Sequence, residues 1–173
     1  MSDRRDIAVV GAGLVGSGWA LVFARAGYSV RVYDHSNDIR NRILPWAKES
    51  LSELEKTGLI ADPQTILSRI TVHDSLGSAV DQVTYVQESV FETVTAKTDV
   101  SLVLDAVIGP DTLVGSSSSG IPASRFTSEC KNRDRFMIAH PVNPPHLVPV
   151  VEVVPAPWTD GEAVDRVIEL MRE

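Results

Sequence analysis

The chain has 173 residues, 43% of them apolar and 23% charged, with a formal net charge of −7. That size suits one α/β domain with a buried core, and the composition is that of a folded globular protein rather than a disordered one. The acidic balance weighs against nucleic acid and against a polybasic membrane anchor.

No apolar run approaches the roughly 20 residues that a membrane span needs. Residues 1–6 are charged and lack the extended apolar core of a signal peptide. Cys130 is the single cysteine, so no internal disulfide and no cysteine metal cluster can form, and no His/Asp/Glu spacing suggests a metal site. The expected location is cytoplasmic.

Taken in chain order, residues 7–10 are a short apolar run ending at glycine and read as a buried strand. Residues 14–26 are apolar on nearly every face and read as a buried helix, with Gly27 placed as its C-terminal glycine. Residues 29–33 form a second strand that ends at Asp34. Residues 36–57 are long, amphipathic and charged; Pro45 interrupts them, which predicts a kink or two helices. Residues 61–68 form a helical turn or two. Residues 70–73 and 83–87 read as strands, with a short helix over 76–81 between them. A helix over 92–107 is closed by Gly109-Pro110, and 112–116 and 136–139 are further strands. Residues 140–149 carry four prolines and read as a rigid loop, followed by a strand over 150–154 and an amphipathic helix over 159–173.

Strands alternating with helices imply parallel βαβ units. The expected fold over residues 1–173 is therefore α/β, a Rossmann-type, doubly wound, mostly parallel sheet. Ligands of such sheets bind at the carboxyl ends of the strands.

Gly11-Ala12-Gly13-Leu14-Val15-Gly16 fits GxGxxG, and it follows a strand and opens a helix, which is the context that gives the pattern meaning. Gly11 permits the tight turn, Gly13 has no side chain to block a pyrophosphate, and Gly16 lets the helix approach the strand. The helix N-terminus, with Leu14 and Val15, offers backbone N–H groups to phosphates. Asp34 ends the second strand, where its carboxylate can accept hydrogen bonds from adenosine ribose hydroxyls. It would repel a 2′-phosphate, which favours NAD over NADP.

The glycine loop through Ala20, residues 87–97, residues 116–124 and residues 140–155 together resemble the 3-hydroxyacyl-CoA dehydrogenase superfamily, and within it the lambda-crystallin and L-gulonate 3-dehydrogenase branch. The most specific stretch is His140-Pro141-Val142-Asn143-Pro144-Pro145 followed by Val151-Glu152-Val153-Val154-Pro155. The resemblance spans essentially the whole chain. It implies NAD as cofactor and a catalytic pair at His140 and Glu152. In that pair the histidine takes the hydroxyl proton, and a buried carboxylate fixes its tautomer and stabilises the imidazolium.

The resemblance further implies that Asn143 hydrogen-bonds near the substrate, that Ser119 contacts the substrate oxygen, and that Glu92 and Lys97 stand by the nicotinamide ribose. Family members commonly have asparagine directly after that glutamate, where this chain has Thr93. Ser117 and Ser118 receive no role beyond letting the backbone pass close to a ligand.

Acyl-CoA members show a lysine-rich stretch in the long helix after the second strand. Here residues 46–56 set Lys48 and Lys56 against Glu49, Glu53 and Glu55, a poor phosphate site. The expected substrate is a small, free 3-hydroxy acid, with a 3-hydroxyacyl-CoA as the alternative. A non-catalytic, crystallin-like dinucleotide module is the reading from a different class; the presence of His140, Glu152, Ser119 and Asn143 together favours the enzyme. Relatives continue into a helical domain that closes the cleft and supplies most of a homodimer contact. The expectation is that residue 173 falls at about that junction, so that these residues alone bind NAD but turn over slowly or not at all.

Overall fold

The computed structural model describes residues 6–173; the charged residues 1–5, which carry the expectation about a leader, lie outside the described residues. One seven-stranded sheet organises the chain. β1 (Asp6–Val10) leads through α1 (Leu14–Arg25) to β2 (Ser29–Tyr33), then through α2 (Asn37–Lys56) and α3 (Pro63–Ser68) to β3 (Ile70–Val72). α4 (Leu76–Val80), β4 (Tyr85–Glu88), α5 (Val94–Val107), β5 (Leu113–Ser116), β6 (Phe136–Pro141), β7 (Val151–Pro155) and α6 (Gly161–Arg172) follow. The strand order is β3-β2-β1-β4-β5-β6-β7. The chain thus reverses direction across the sheet between β1 and β4, and this switch point is where a doubly wound sheet opens a ligand crevice.

The strands separate two apolar layers by their period of two. Ile7 and Val9 of β1 face a core with α1, α2 and α6, whereas Ala8 and Val10 face a smaller core with Leu104 of α5 and Val80 of α4. Burial on both faces explains why the inner strands read as unbroken apolar runs.

Three details differ from the sequence reading. α2 is one helix of 20 residues that carries Pro45 inside it. Its buried stripe of Ile43, Ala47, Leu51 and Leu54 runs past the proline, which sits on the exposed side where water can satisfy the carbonyl left free. α5 begins at Val94, because the Thr93 hydroxyl accepts from Ala96 N–H at 3.2 Å and caps it. The residue that departs from the family's asparagine is therefore a helix cap. Finally, β6 continues to Pro141 and β7 pairs with it antiparallel. Only residues 142–150 separate the two strands, too short for the dozen or more that a parallel crossover needs.

Candidate active site at the strand ends

The glycine loop is shaped by its neighbours. Gly11 has φ +88°, and a Cβ there would lie 2.6 Å from the carbonyl carbon of Ser89. At Gly16 a Cβ would lie 1.8 Å from the Gly11 carbonyl oxygen, so only glycine lets α1 close onto the turn. Gly13 is different: a Cβ would meet nothing within 4 Å. Its bareness serves no internal packing and leaves open space at the helix N-terminus.

α2, α3, α4, α5 and α6 each have an N-cap side chain accepting a backbone N–H, from Ser36, Asp62, Ser75, Thr93 and Asp160. α1 alone among the described α-helices has no side-chain cap and no acid in its first turn. Its first-turn N–H groups are left without an intrahelical partner, the state in which a helix end can hold a pyrophosphate. Leu14, at the start of α1, and Phe91, in the loop after β4, are 81% and 73% exposed and offer apolar surface at the crevice mouth.

Asp34 is buried. Its Oδ2 accepts from Ala12 N–H at 2.8 Å and its Oδ1 from Ser36 N–H at 2.9 Å, with His35 Nδ1 3.3 Å away. It therefore ties the glycine loop to the start of α2. A carboxylate has about four acceptor positions, so these two backbone bonds leave capacity for ribose hydroxyls.

Beneath the ends of β4 and β5 lies a buried charge cluster that sequence reasoning missed. Lys97 is 1% exposed, and its Nζ donates to Glu88 Oε1 at 3.1 Å and Oε2 at 3.2 Å. It also lies 3.4 Å from Ser116 Oγ and from Glu92 Oε2. The Ser116 hydroxyl donates to Glu88, and Val90 N–H donates to Glu88 Oε1 at 2.7 Å. The Lys97 ammonium is thus enclosed among Glu88, Ser116 and Glu92. It neutralises a buried carboxylate that would otherwise be expensive to keep in the fold. The one signal in the sequence was an acid at the end of an apolar strand.

Glu92 organises the serine turn. Its Oε1 accepts from Ser118 Oγ at 2.7 Å and from the N–H groups of Ser119 and Gly120 at 3.0 Å each. Burial works to raise its pKa, but the bonds from Ser118 and Gly120, the Lys97 charge and the Ser119 N–H together hold it below the usual carboxylate value. Ser119 is exposed just beyond β5, whose register sets Ser116 beside Ile138 of β6. His140 is the last residue but one of that neighbouring strand.

His140 and Glu152 are direct cross-strand partners of β6 and β7. His140 Nδ1 lies 2.9 Å from Glu152 Oε2. An ionised carboxylate can only accept, so Nδ1 carries the proton and Nε2 keeps the lone pair. The twelve-residue spacing is thus a hairpin register. The buried carboxylate expected of this pair is corrected: the Glu152 side chain is 67% exposed on the edge strand, while that of His140 is 19% exposed.

Asn143 is exposed in the proline loop. The same loop packs back on the helices: Arg25 donates to the His146 carbonyl at 3.0 Å, and the Trp46 and His146 rings meet edge-on at 5.6 Å. Burial, aided by Arg25, lowers the His146 pKa.

The 3-hydroxyacyl-CoA dehydrogenase NAD-binding domain matches residues 6–173. The chain belongs to the 3-hydroxyacyl-CoA dehydrogenase family. It is 35% identical over 171 residues to a 3-hydroxyacyl-CoA dehydrogenase of Gibberella moniliformis, covering 98% of this chain and 52% of that protein. It is 35% identical over 173 residues to lambda-crystallin of Oryctolagus cuniculus, covering 97% and 54%. The solved 3-hydroxybutyryl-CoA dehydrogenase of Escherichia coli K12 superposes with a TM-score of 0.92 at 27% identity, over 98% of this chain and 36% of that one. The chain spans about half the length of the curated relatives it matches.

NAD is the cofactor of this family domain, and the residues present fit it: an uncapped helix end, open space at Gly13 and an acid at the end of β2. Among the described residues no group of three or more His, Cys, Asp or Glu is placed to hold a metal ion, and no described helix is long and apolar enough to cross a membrane.

Proposed function

We propose that this chain carries the cofactor site and the acid–base groups of an NAD-dependent dehydrogenase that oxidises the 3-hydroxyl of a small, free 3-hydroxy acid, as an L-gulonate 3-dehydrogenase does. The observation that carries the reading is the 2.9 Å bond from His140 Nδ1 to Glu152, which leaves Nε2 as a base. Bound NAD supplies the two-electron acceptor for the alcohol carbon. The residues to hold it are Gly11, Gly13, Leu14, Val15 and Gly16 at the pyrophosphate and Asp34 at the adenosine ribose, with Glu92 on the nicotinamide side.

His140 Nε2 takes the hydroxyl proton, and Glu152 steadies the imidazolium that results. Ser119, on a turn fixed by Glu92, and Asn143, three residues past the base, orient the substrate oxygen. Lys97 acts from beneath, by holding Glu88 and Glu92 in place. The free-acid preference rests on α2, where Lys48 and Lys56 stand among exposed Glu49, Glu53 and Glu55. Such a surface is poor for the phosphates of coenzyme A.

The test is NADH formation with a panel of free 3-hydroxy acids and 3-hydroxyacyl-CoA thioesters, using a version of the chain extended with the helical domain of its relatives. The expected result is signal with the free acids. Removing the base by His140→Ala lowers the rate by about 10²–10⁴-fold. Turnover of the thioesters alone would overturn the substrate class, and an intact rate in His140→Ala would overturn the base. NAD binding without turnover of any substrate would favour a non-catalytic dinucleotide module.

A further inference from the structure

Five side chains, from β4, α1 and the residues that follow β4 and β5, form a hydrogen-bond chain whose direction is set by donor chemistry. Gln87 Nε2 lies 3.1 Å from the Ala139 carbonyl. A carbonyl only accepts, so the Gln87 amide is fixed with its nitrogen there and its Oε1 toward Tyr85. That oxygen only accepts, so the Tyr85 hydroxyl donates to it at 2.6 Å. Burial raises the Tyr85 pKa and keeps the phenol protonated.

The second hydrogen of Gln87 Nε2 goes to Ser117 Oγ at 2.8 Å, and Trp19 Nε1, a donor only, reaches the same oxygen at 3.1 Å. Both lone pairs of Ser117 Oγ are then used. Its single hydrogen points to Ser89 Oγ, 2.7 Å away. Ser89 is the acceptor of that bond, and its own hydroxyl hydrogen has no acceptor among the described residues.

Ser89 is half-buried, follows β4 directly and abuts Gly11. In the sheet order the ends of β2 and β1 carry Asp34 and the glycine loop. A dinucleotide with its adenosine at Asp34 and its pyrophosphate at the glycine loop brings its other half over β4 and β5. We propose that the Ser89 hydroxyl is a binding donor for the dinucleotide, giving its hydrogen bond to an oxygen of the nicotinamide riboside half, beyond both phosphates. Every bond from Tyr85 through Gln87 and Ser117 to Ser89 runs the same way, so polarisation adds along the chain and strengthens the last donor. Ser117, without a role in the sequence reading, is the joint that orients it.

The assignment rests on the NAD reading of the glycine loop, and the experiment separates the two. NAD and ADP are titrated calorimetrically into the wild-type chain, Ser89→Ala and Ser89→Thr, with thermal unfolding of each as a check on the fold. Ser89→Ala is expected to weaken NAD by about fivefold while leaving ADP within about twofold, and Ser89→Thr, which keeps the hydroxyl, to restore NAD binding. Where the alanine variant unfolds early, Ser89→Cys, with its weaker donor, replaces it and is expected to show the same selective loss. Equal NAD affinity in wild type and variant overturns the donor role. Equal losses for NAD and ADP overturn the nicotinamide-side placement. Failure of the wild-type chain to bind NAD overturns the cofactor reading itself.

Discussion

The two halves of the site are made differently. The cofactor half stands on inner parallel strands, and its charges are closed within the fold: Asp34 on backbone N–H groups, Glu88 on Lys97 and Ser116. The proposed chemical half stands on the β6–β7 hairpin at the sheet edge, where Glu152 is largely in solvent. Packing therefore dictates both geometry and dielectric around the glycine loop. On the hairpin, register dictates only the geometry, and the strength of the His140–Glu152 bond depends on whatever covers that edge.

The largest expected effect breaks a buried pair. Lys97→Met leaves Glu88 charged and buried, and should cost about 3–5 kcal/mol in denaturant unfolding. Adding Glu88→Gln should recover much of that loss. A cost near zero for Lys97→Met would remove the contrast between the two halves.

The glycines sharpen it next. Gly16→Ala drives a Cβ into the Gly11 carbonyl and should lower stability by about 1–3 kcal/mol. Gly13→Ala meets nothing, so its thermal midpoint should stay near wild type, within about 0.5 kcal/mol, while NAD affinity falls. Equal stability losses at the two positions would show that Gly13 is bare for packing and not for a ligand.

The smallest effect belongs to the edge. Glu152→Gln removes an exposed ion pair and should change stability by about 0–1 kcal/mol, in a salt-dependent way. A loss as large as that of Lys97→Met would show that the hairpin charge is not solvent-screened.

Much of the fold was legible because strand period, glycine turns and caps are local. β2 was expected at 29–33 and runs Ser29–Tyr33; the helix after the glycine loop was expected at 14–26 and runs Leu14–Arg25. Pro45 left a kinked helix and two helices both open, because its cost depends on which side of α2 faces water, and the structure keeps one helix. Lys97 was placed by a ribose on the family resemblance; its near-complete burial was not legible, because it depends on Glu88, nine residues away on another element.

The glycine loop was legible in the sequence alone, since the pattern of glycines over six positions marks a tight turn opening a helix, and the structure has a positive φ at Gly11 and a helix starting at Leu14. The residues His140 and Glu152 were visible as well. Their meeting was decided by the tertiary structure, because it needs β7 to return antiparallel at one particular register. The same holds for the Ser89 donor: its direction is set by Tyr85, Gln87, Trp19 and Ser117, which only the sheet order and the packing of α1 bring together.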